Sequence, residues 1–328
     1  MLRTAPPKLA QIQAPIHDRL EKVVEEIRRI VVADFGPIGE INEYLLGIRG
    51  KLFRPSLLLL CNEIGGQPDA KADTLAAVVE LIHRATLVHD DAVDHSVLRR
   101  GMPTVNAMWS HQVAIIMGDY LYSRSVTELT RLGDLEPIRI LAQASNAMSV
   151  GEMRQLASYD ALGFDEPAYY QLIRSKTASL ISAACEIGAL TGANSYRAQL
   201  GLFGHELGMA FQIADDLLDY TADEAVTGKP SGLDLREHKV TLPLIAVLPS
   251  LSRTERDELE AFFREQEPKD EAISSIVQLV RRRGGLDYAR EKALEYARRA
   301  GQALEGVPAS PALDALRESI VYATERRR

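Results

Sequence analysis

Leu87-Val88-His89-Asp90-Asp91-Ala92-Val93-Asp94 and Gln212-Ile213-Ala214-Asp215-Asp216-Leu217-Leu218-Asp219 share one grammar. Each sets two adjacent carboxylates, and a third three residues on, at the end of an apolar run with helical period. Positions i and i+4 of a helix are stacked neighbours, so Asp90 and Asp94 point one way, as do Asp215 and Asp219. Like charges so placed repel by roughly a few tenths of a kcal/mol per pair. A chain that repeats the arrangement 125 residues later (90 to 215) implies a cation that draws the carboxylates together.

Working outward, the run before the first set, from Thr74 to Thr86, carries no charge until Glu80 and predicts a helix over 70–95 buried nearly all round. His83 lies seven residues before Asp90 and shares its face. Beyond the set, Leu98-Arg99-Arg100-Gly101 is a loop suited to gripping phosphate oxygens, since arginine binds them bidentately. Upstream, Gly50-Lys51-Leu52-Phe53-Arg54-Pro55 predicts a helix start with two cations on one side, either a solvated basic pair or an anion site at a helix N-terminus. Helices are expected over 8–49 with a break at Gly36-Pro37-Ile38-Gly39, then over 56–64, 105–132 and 138–158, the last two interrupted at Gly118 and Gly151, where glycine often permits close packing. Others are expected over 167–192, where Lys176 precedes small and apolar residues, and over 196–220. A loop holding Gly228-Lys229 leads to Lys239-Val240-Thr241-Leu242-Pro243, which opens the next helix. From 250 to 328 the pattern is amphipathic and charged, and reads as a solvated outer layer. Without an alternating β-pattern or a long linker, the expectation is one all-α domain over 1–328. It comprises N-terminal helices at 8–49, a catalytic core at about 50–247 and a C-terminal helical layer at about 250–328.

Composition narrows the function. The 328 residues are 46% hydrophobic, enough for a large core, and the net charge of −8 argues against a nucleic-acid partner. Cys61 and Cys185 stand in apolar surroundings and read as core residues of a reduced, cytoplasmic protein. The opening residues lack the apolar core of a signal peptide, and Ser56–Cys61 is too short to span a bilayer. Peripheral contact with a membrane, or a carried lipid, stays compatible with this.

Carboxylate ligands without histidine or cysteine favour Mg²⁺ or Mn²⁺ over zinc. Mg²⁺ keeps open positions that substrate phosphates usually fill. There is no Walker A loop, no GxGxxG opening a helix and no nucleophile–base arrangement. What remains is a metal-clamped diphosphate that leaves, generating a carbocation in a dry cavity walled by the largely apolar helices 70–88 and 178–192.

Over roughly residues 40–300 the chain resembles the trans-type polyprenyl diphosphate synthases, the long-chain heptaprenyl and octaprenyl members most of all. The matching pieces are those quoted above, with Gln155, Lys176-Thr177 and Phe211-Gln212. The resemblance implies an all-α isoprenoid-synthase-type bundle around a central cavity, working as a homodimer. It implies Asp90, Asp94 and Asp215 as direct ligands of three Mg²⁺ on the allylic diphosphate (farnesyl or geranyl), with Asp91, Asp216 and Asp219 in support. Arg99, Lys176, Lys229 and Lys239 would grip that diphosphate, and Lys51, Arg54, His83 and Arg100 would hold isopentenyl diphosphate. Thr177 and Gln212 would face the developing cation. The implied reaction is a 1′-4 head-to-tail condensation: ionisation, attack by the isopentenyl double bond, and proton loss to the released pyrophosphate. His238 departs from the pattern, since many relatives have glycine there, which bears on the loop shape.

The growing tail would run beside the first Asp helix, so Thr86 and Ala85, one turn below Asp90, would floor its tunnel. Both are small, where short-chain members place bulky groups, so a product of about heptaprenyl to decaprenyl length is expected. The alternatives are a shorter farnesyl or geranylgeranyl product, a class I terpene cyclase, a non-catalytic partner subunit, or a structural Mg²⁺- or Ca²⁺-binding bundle. Cyclases typically lack a second Asp cluster and a second basic site, and partner subunits usually lose the Asp motifs. A structural protein leaves His83, Lys176 and Gln212 unexplained.

Overall fold

Helix Lys71–Val93 packs against helices His17–Ile30, Phe53–Glu63, His111–Leu132 and Ser179–Gly192. The computed structural model describes residues 7–48, 50–157, 161–221, 232–265 and 267–325. Among these the architecture is all-α, with one short antiparallel hairpin that pairs Leu98–Arg99 with Met102–Pro103.

The helix pattern follows the apolar periodicity. His17–Ile30 buries Leu20, Val23, Ile27 and Ile30, one stripe of a charged helix. Phe53–Glu63 has no such stripe: Leu57 through Cys61 are fully buried, because other helices enclose it. The expected break at Gly36-Pro37 is instead the start of helix Gly36–Gly47, with Pro37 in the first turn, where a missing N–H costs little. The expected helix 105–132 is divided into Val105–Met108 and His111–Leu132, because the Ser110 hydroxyl accepts from Val113 N and caps a new start. Gly118 and Gly151 lie within unbroken helices, as close-packing points.

The expected helix over 167–192 is also divided. Glu166–Ile173 runs into a π-helical turn, Arg174–Ala178, before Ser179–Gly192 continues. Ser179 N bonds to Arg174 O, five residues back, so one extra residue is wound into the turn that carries Lys176 and Thr177.

The C-terminal region is not simply an outer layer. Helix Pro311–Glu325 buries Leu313, Leu316 and Ala323 in the main core beside Leu57–Cys61. Helix Gly285–Ala303 lies along Arg197–Thr221, the helix of the second Asp set. The charged exteriors of these helices dominate their sequence and conceal alanine-rich inner faces at Ala289, Ala293, Ala297 and Ala300.

Candidate active site

The two Asp sets open on a single cavity of about 1110 Å³, somewhat above the usual size of a small-molecule pocket. Asp90, Asp91, Asp94, Asp215 and Asp216 line it, and so do Lys51, Arg54, His83, Arg99, Arg100, Lys176, Thr177, Gln212 and Lys239. Lys229 lies outside the described residues. Asp219 is not on the cavity wall. It is buried at the end of its helix, and its carboxylate accepts Leu233 N (3.1 Å) and Asp234 N (3.0 Å). It caps the turn Leu233–Arg236, which returns the chain to the cavity mouth.

The first set ends its helix, with Asp94 as the C-cap. Asp91 is buried, and both its oxygens accept Arg99 Nε at 2.8 Å. Arg100 and Gly101 both have positive φ (54° and 78°), as a two-residue hairpin turn requires. That turn folds Arg99 back on Asp91 and brings Arg100 close to Gly50. Asp90 is pushed up to about 6, chiefly by burial and further by Glu152 and Asp94, while Lys176 and Arg99 pull it back.

Lys176 reaches the same cavity from the π-turn. It forms an ion pair with Glu152 and donates to Gln155 Oε1 at 2.9 Å. A Cβ at Gly151 would lie 2.8 Å from Ser175 Cβ and 3.3 Å from Lys176 Cγ, so only glycine lets the two helices approach this closely. On the other side a Cβ at Gly208 would sit 2.6 Å from Ala178 Cα. The π-turn is thus clamped between two glycines of neighbouring helices.

Thr177 donates to Gln212 Oε1 at 2.7 Å, and Gln212 Nε2 donates to Asp216 Oδ1 at 2.7 Å. Tyr169 OH donates to the other oxygen of Asp216 at 2.6 Å. Burial pushes Asp216 up to about 7 against those two hydrogen bonds. With its proton committed to Gln212, the Thr177 oxygen, on the cavity wall, keeps its lone pairs free. Lys239 bridges Asp94 (3.2 Å) and Glu237 (2.8 Å). Burial opposes its charge, yet those carboxylates hold its pKa above the ordinary lysine range.

A second cationic group sits apart from Lys176 and Lys239. Burial, reinforced by Arg54, Arg100, Arg99 and Arg84, pushes the His83 imidazole well down, so it is neutral near pH 7. Burial also lowers Arg54 to about 10. No described residue accepts a hydrogen bond from its buried Nε. A buried guanidinium with an unmatched donor fits an anionic ligand. Glu80, 3.2 Å from Arg84 Nε, belongs to this group and was missed in the sequence. Its signal was the Glu80–His83–Arg84 spacing on one helix face. Tyr322 was missed as well, and Phe53 and Phe211, quoted among the matching pieces, carried no role there: Phe211 stacks on Phe53 (5.5 Å), Tyr322 tilts against Phe53 (5.7 Å), and all three line the cavity. Tyr322 comes from the last helix, which the charged C-terminal pattern did not distinguish.

Of the two expected floor residues, Thr86 lines the cavity and donates to His83 O at 2.8 Å. Ala85 does not line it; 2% exposed, it packs in the main core. Of the two helices expected to wall an apolar cavity, the first contributes Thr86, Leu87 and Val88 and the second Leu180; their remaining apolar residues are mostly core.

Among the described residues no three acidic, histidine or cysteine side chains converge as a ready-made metal cage. The donor set nonetheless fits a hard divalent cation. Half-buried Asp90 lies near Asp94 and Glu152, and Mg²⁺ is ordinarily held by one or two carboxylates with substrate phosphates completing the shell. No helix among the described residues is long and apolar enough to cross a membrane.

Comparison with known proteins agrees with this geometry. The polyprenyl synthetase family model matches residues 37–280. Heptaprenyl diphosphate synthase component 2 of Geobacillus stearothermophilus is 35% identical over 325 residues, covering 97% of this chain and 99% of the relative. A short chain isoprenyl diphosphate synthase of Methanothermobacter thermautotrophicus is 33% identical over 317 residues, covering 94% and 97%. The crystal structure of a polyprenyl synthase from Caulobacter crescentus, complexed with calcium and isoprenyl diphosphate, superposes with a TM-score of 0.92 at 32% identity, covering 99% of this chain and 100% of that one. On its sequence, its fold and the residues gathered at its cavity, the chain belongs to the polyprenyl synthetase family and is a prenyltransferase.

Proposed function

We propose that the chain catalyses Mg²⁺-dependent head-to-tail (1′-4) condensation of isopentenyl diphosphate with an allylic diphosphate, giving a long-chain all-trans polyprenyl diphosphate. The observation that carries this is one cavity with two Asp sets and two separate cationic groups. One diphosphate that leaves and one that stays require that division.

Asp90, Asp94 and Asp215 would hold Mg²⁺, which supplies Lewis-acid charge for the departing pyrophosphate. Lys176 and Lys239, each preset by carboxylate partners, would bind the oxygens of the same diphosphate. Arg99 would orient Asp91 and, with Lys229, add to that grip. Lys51, Arg54 and Arg100 would take the isopentenyl diphosphate, with neutral His83 contributing a hydrogen bond rather than a charge. On ionisation of the allylic C–O bond, Thr177 and Gln212 would offer oxygen lone pairs to the cation. The isopentenyl double bond attacks, a new C–C bond forms, and the proton lost passes to the released pyrophosphate.

Long product is supported by Thr86, a small residue on the cavity wall one turn below Asp90. The similarity to a short-chain relative keeps a farnesyl or geranylgeranyl product as the second reading. A homodimer is proposed on helices His111–Leu132 and Leu135–Ala157, which expose Ile116 (60%) and Met153 (66%). Light scattering on the purified chain would return one protomer mass if that is wrong. For the reaction, the chain is incubated with farnesyl or geranyl diphosphate, labelled isopentenyl diphosphate and Mg²⁺. The expected result is label in a polyprenyl product, abolished by chelation. No extended product from any allylic primer would rule the activity out.

A further inference from the structure

His238 has φ +54°, in the left-handed region that favours glycine. It directly precedes Lys239, which bridges Asp94 and Glu237 at the cavity. The backbone here is tightly tied: His238 N bonds to Leu235 O (3.0 Å) and Lys239 N to Asp234 O (2.7 Å). The same turn is capped upstream by Asp219 of the second Asp set. Residues 232–239 therefore form a strap from the second Asp helix to Asp94 of the first.

A left-handed backbone at a residue with a Cβ persists only where surroundings fix it. Here they are aromatic. The His238 ring lies 6.1 Å from Phe262 and 5.9 Å from Phe263, and those two rings meet edge-on at 5.2 Å. Their helix, Arg253–Arg264, is held by a Ser252–Glu255 capping box, and Arg283 clasps Glu255 at 2.7 Å. Phe262 is buried in one apolar cluster with Leu259, Ile273 and Ile276, and Phe263 packs against the same cluster. Among the described residues His238 Nε2 is buried without a hydrogen-bond partner, and the residue also borders the cavity beside Lys239.

We propose that His238 is a positioning residue: its ring, seated on the Phe262–Phe263 shelf, fixes the strap so that Lys239 is aimed at the allylic diphosphate. This rests on the reading of Lys239 as a diphosphate-binding cation. A glycine at this position has the easier backbone but no ring. His238→Gly is therefore expected to keep or raise the thermal midpoint while raising KM for the allylic diphosphate about tenfold, the loss typical of a misaligned charge-assisted hydrogen bond. KM for isopentenyl diphosphate should stay within about twofold. His238→Phe, which keeps a ring on the shelf, should retain most of the allylic affinity.

The experiment measures both KM values and thermal midpoints for the wild type, His238→Gly, His238→Phe, Lys239→Ala and the His238→Gly/Lys239→Ala double variant. The expected double variant is no worse than Lys239→Ala alone, because the anchor acts only through Lys239. If Lys239→Ala raises the allylic KM but His238→Gly does not, the anchoring role is wrong and the reading of Lys239 stands. If Lys239→Ala leaves the allylic KM unchanged, the reading of Lys239 fails and takes the inference with it. Additive losses, or loss in His238→Phe equal to that in His238→Gly, would also overturn the anchoring role.

Discussion

At the residue scale, the metal-binding role proposed for Asp90 and the stability of the fold oppose each other. Its carboxyl is pushed from 3.8 up to about 6 by burial, with Glu152 and Asp94 adding to the cost. A carboxyl raised in the folded state contributes stability below its unfolded pKa and loses it as pH rises through about 6. Asp90→Asn should therefore stabilise the metal-free protein at pH 8, by on the order of 1–3 kcal/mol, the gain vanishing towards pH 4. Turnover should be abolished by Asp90→Asn and Asp90→Ala alike, and neither should unfold the chain. Thermal melts at both pH values, beside a turnover assay, check this; a lower midpoint for Asp90→Asn at pH 8 would refute the electrostatic account. Chain length is also a residue-scale matter. Thr86→Phe, on the cavity wall, should shorten the product with little change in stability. Ala85→Phe, in the main core, should lower stability by about 1–3 kcal/mol through overpacking, with any shortening secondary. Product chromatography and melting curves on the two variants separate these roles.

At the scale of elements, the π-turn Arg174–Ala178 decides where Lys176 and Thr177 point. Gly151→Ala should misplace Lys176, since the new methyl would press on Ser175 and Lys176. The expected outcome is a drop in turnover of about tenfold or more, with far-UV circular dichroism unchanged; full activity would show that the π-turn tolerates the shift. The helices themselves were legible in the sequence, because apolar spacing and capping residues are local signals. So was the pairing of the Asp sets, since two identical local patterns point to one ligand. The π-turn was not, because an inserted residue leaves no mark on composition and arises from packing against Gly151 and Gly208. Asp219 was read with its neighbours by motif alone, yet it caps Leu233–Arg236, a partner fixed only by the tertiary path of the chain. Tyr322 and the inner faces of the C-terminal helices were hidden for a related reason: charged outer residues outnumber the alanines that pack inward.

At the scale of the whole molecule, the helices bring two carboxylate jaws to one cavity, and residues 232–239 strap the second jaw to the first. The central claim is that both jaws close on the same diphosphate. The measurement that tests it most directly is calorimetric binding of a non-ionisable allylic diphosphate analogue, with and without Mg²⁺. It would compare the wild type, Asp90→Asn, Asp215→Asn and the double variant. The account predicts Mg²⁺-dependent affinity, a comparable loss in each single variant, and a double variant little worse than either, as expected for two groups that share one ligand. Wild-type affinity in Asp215→Asn, or losses that simply add, would contradict it.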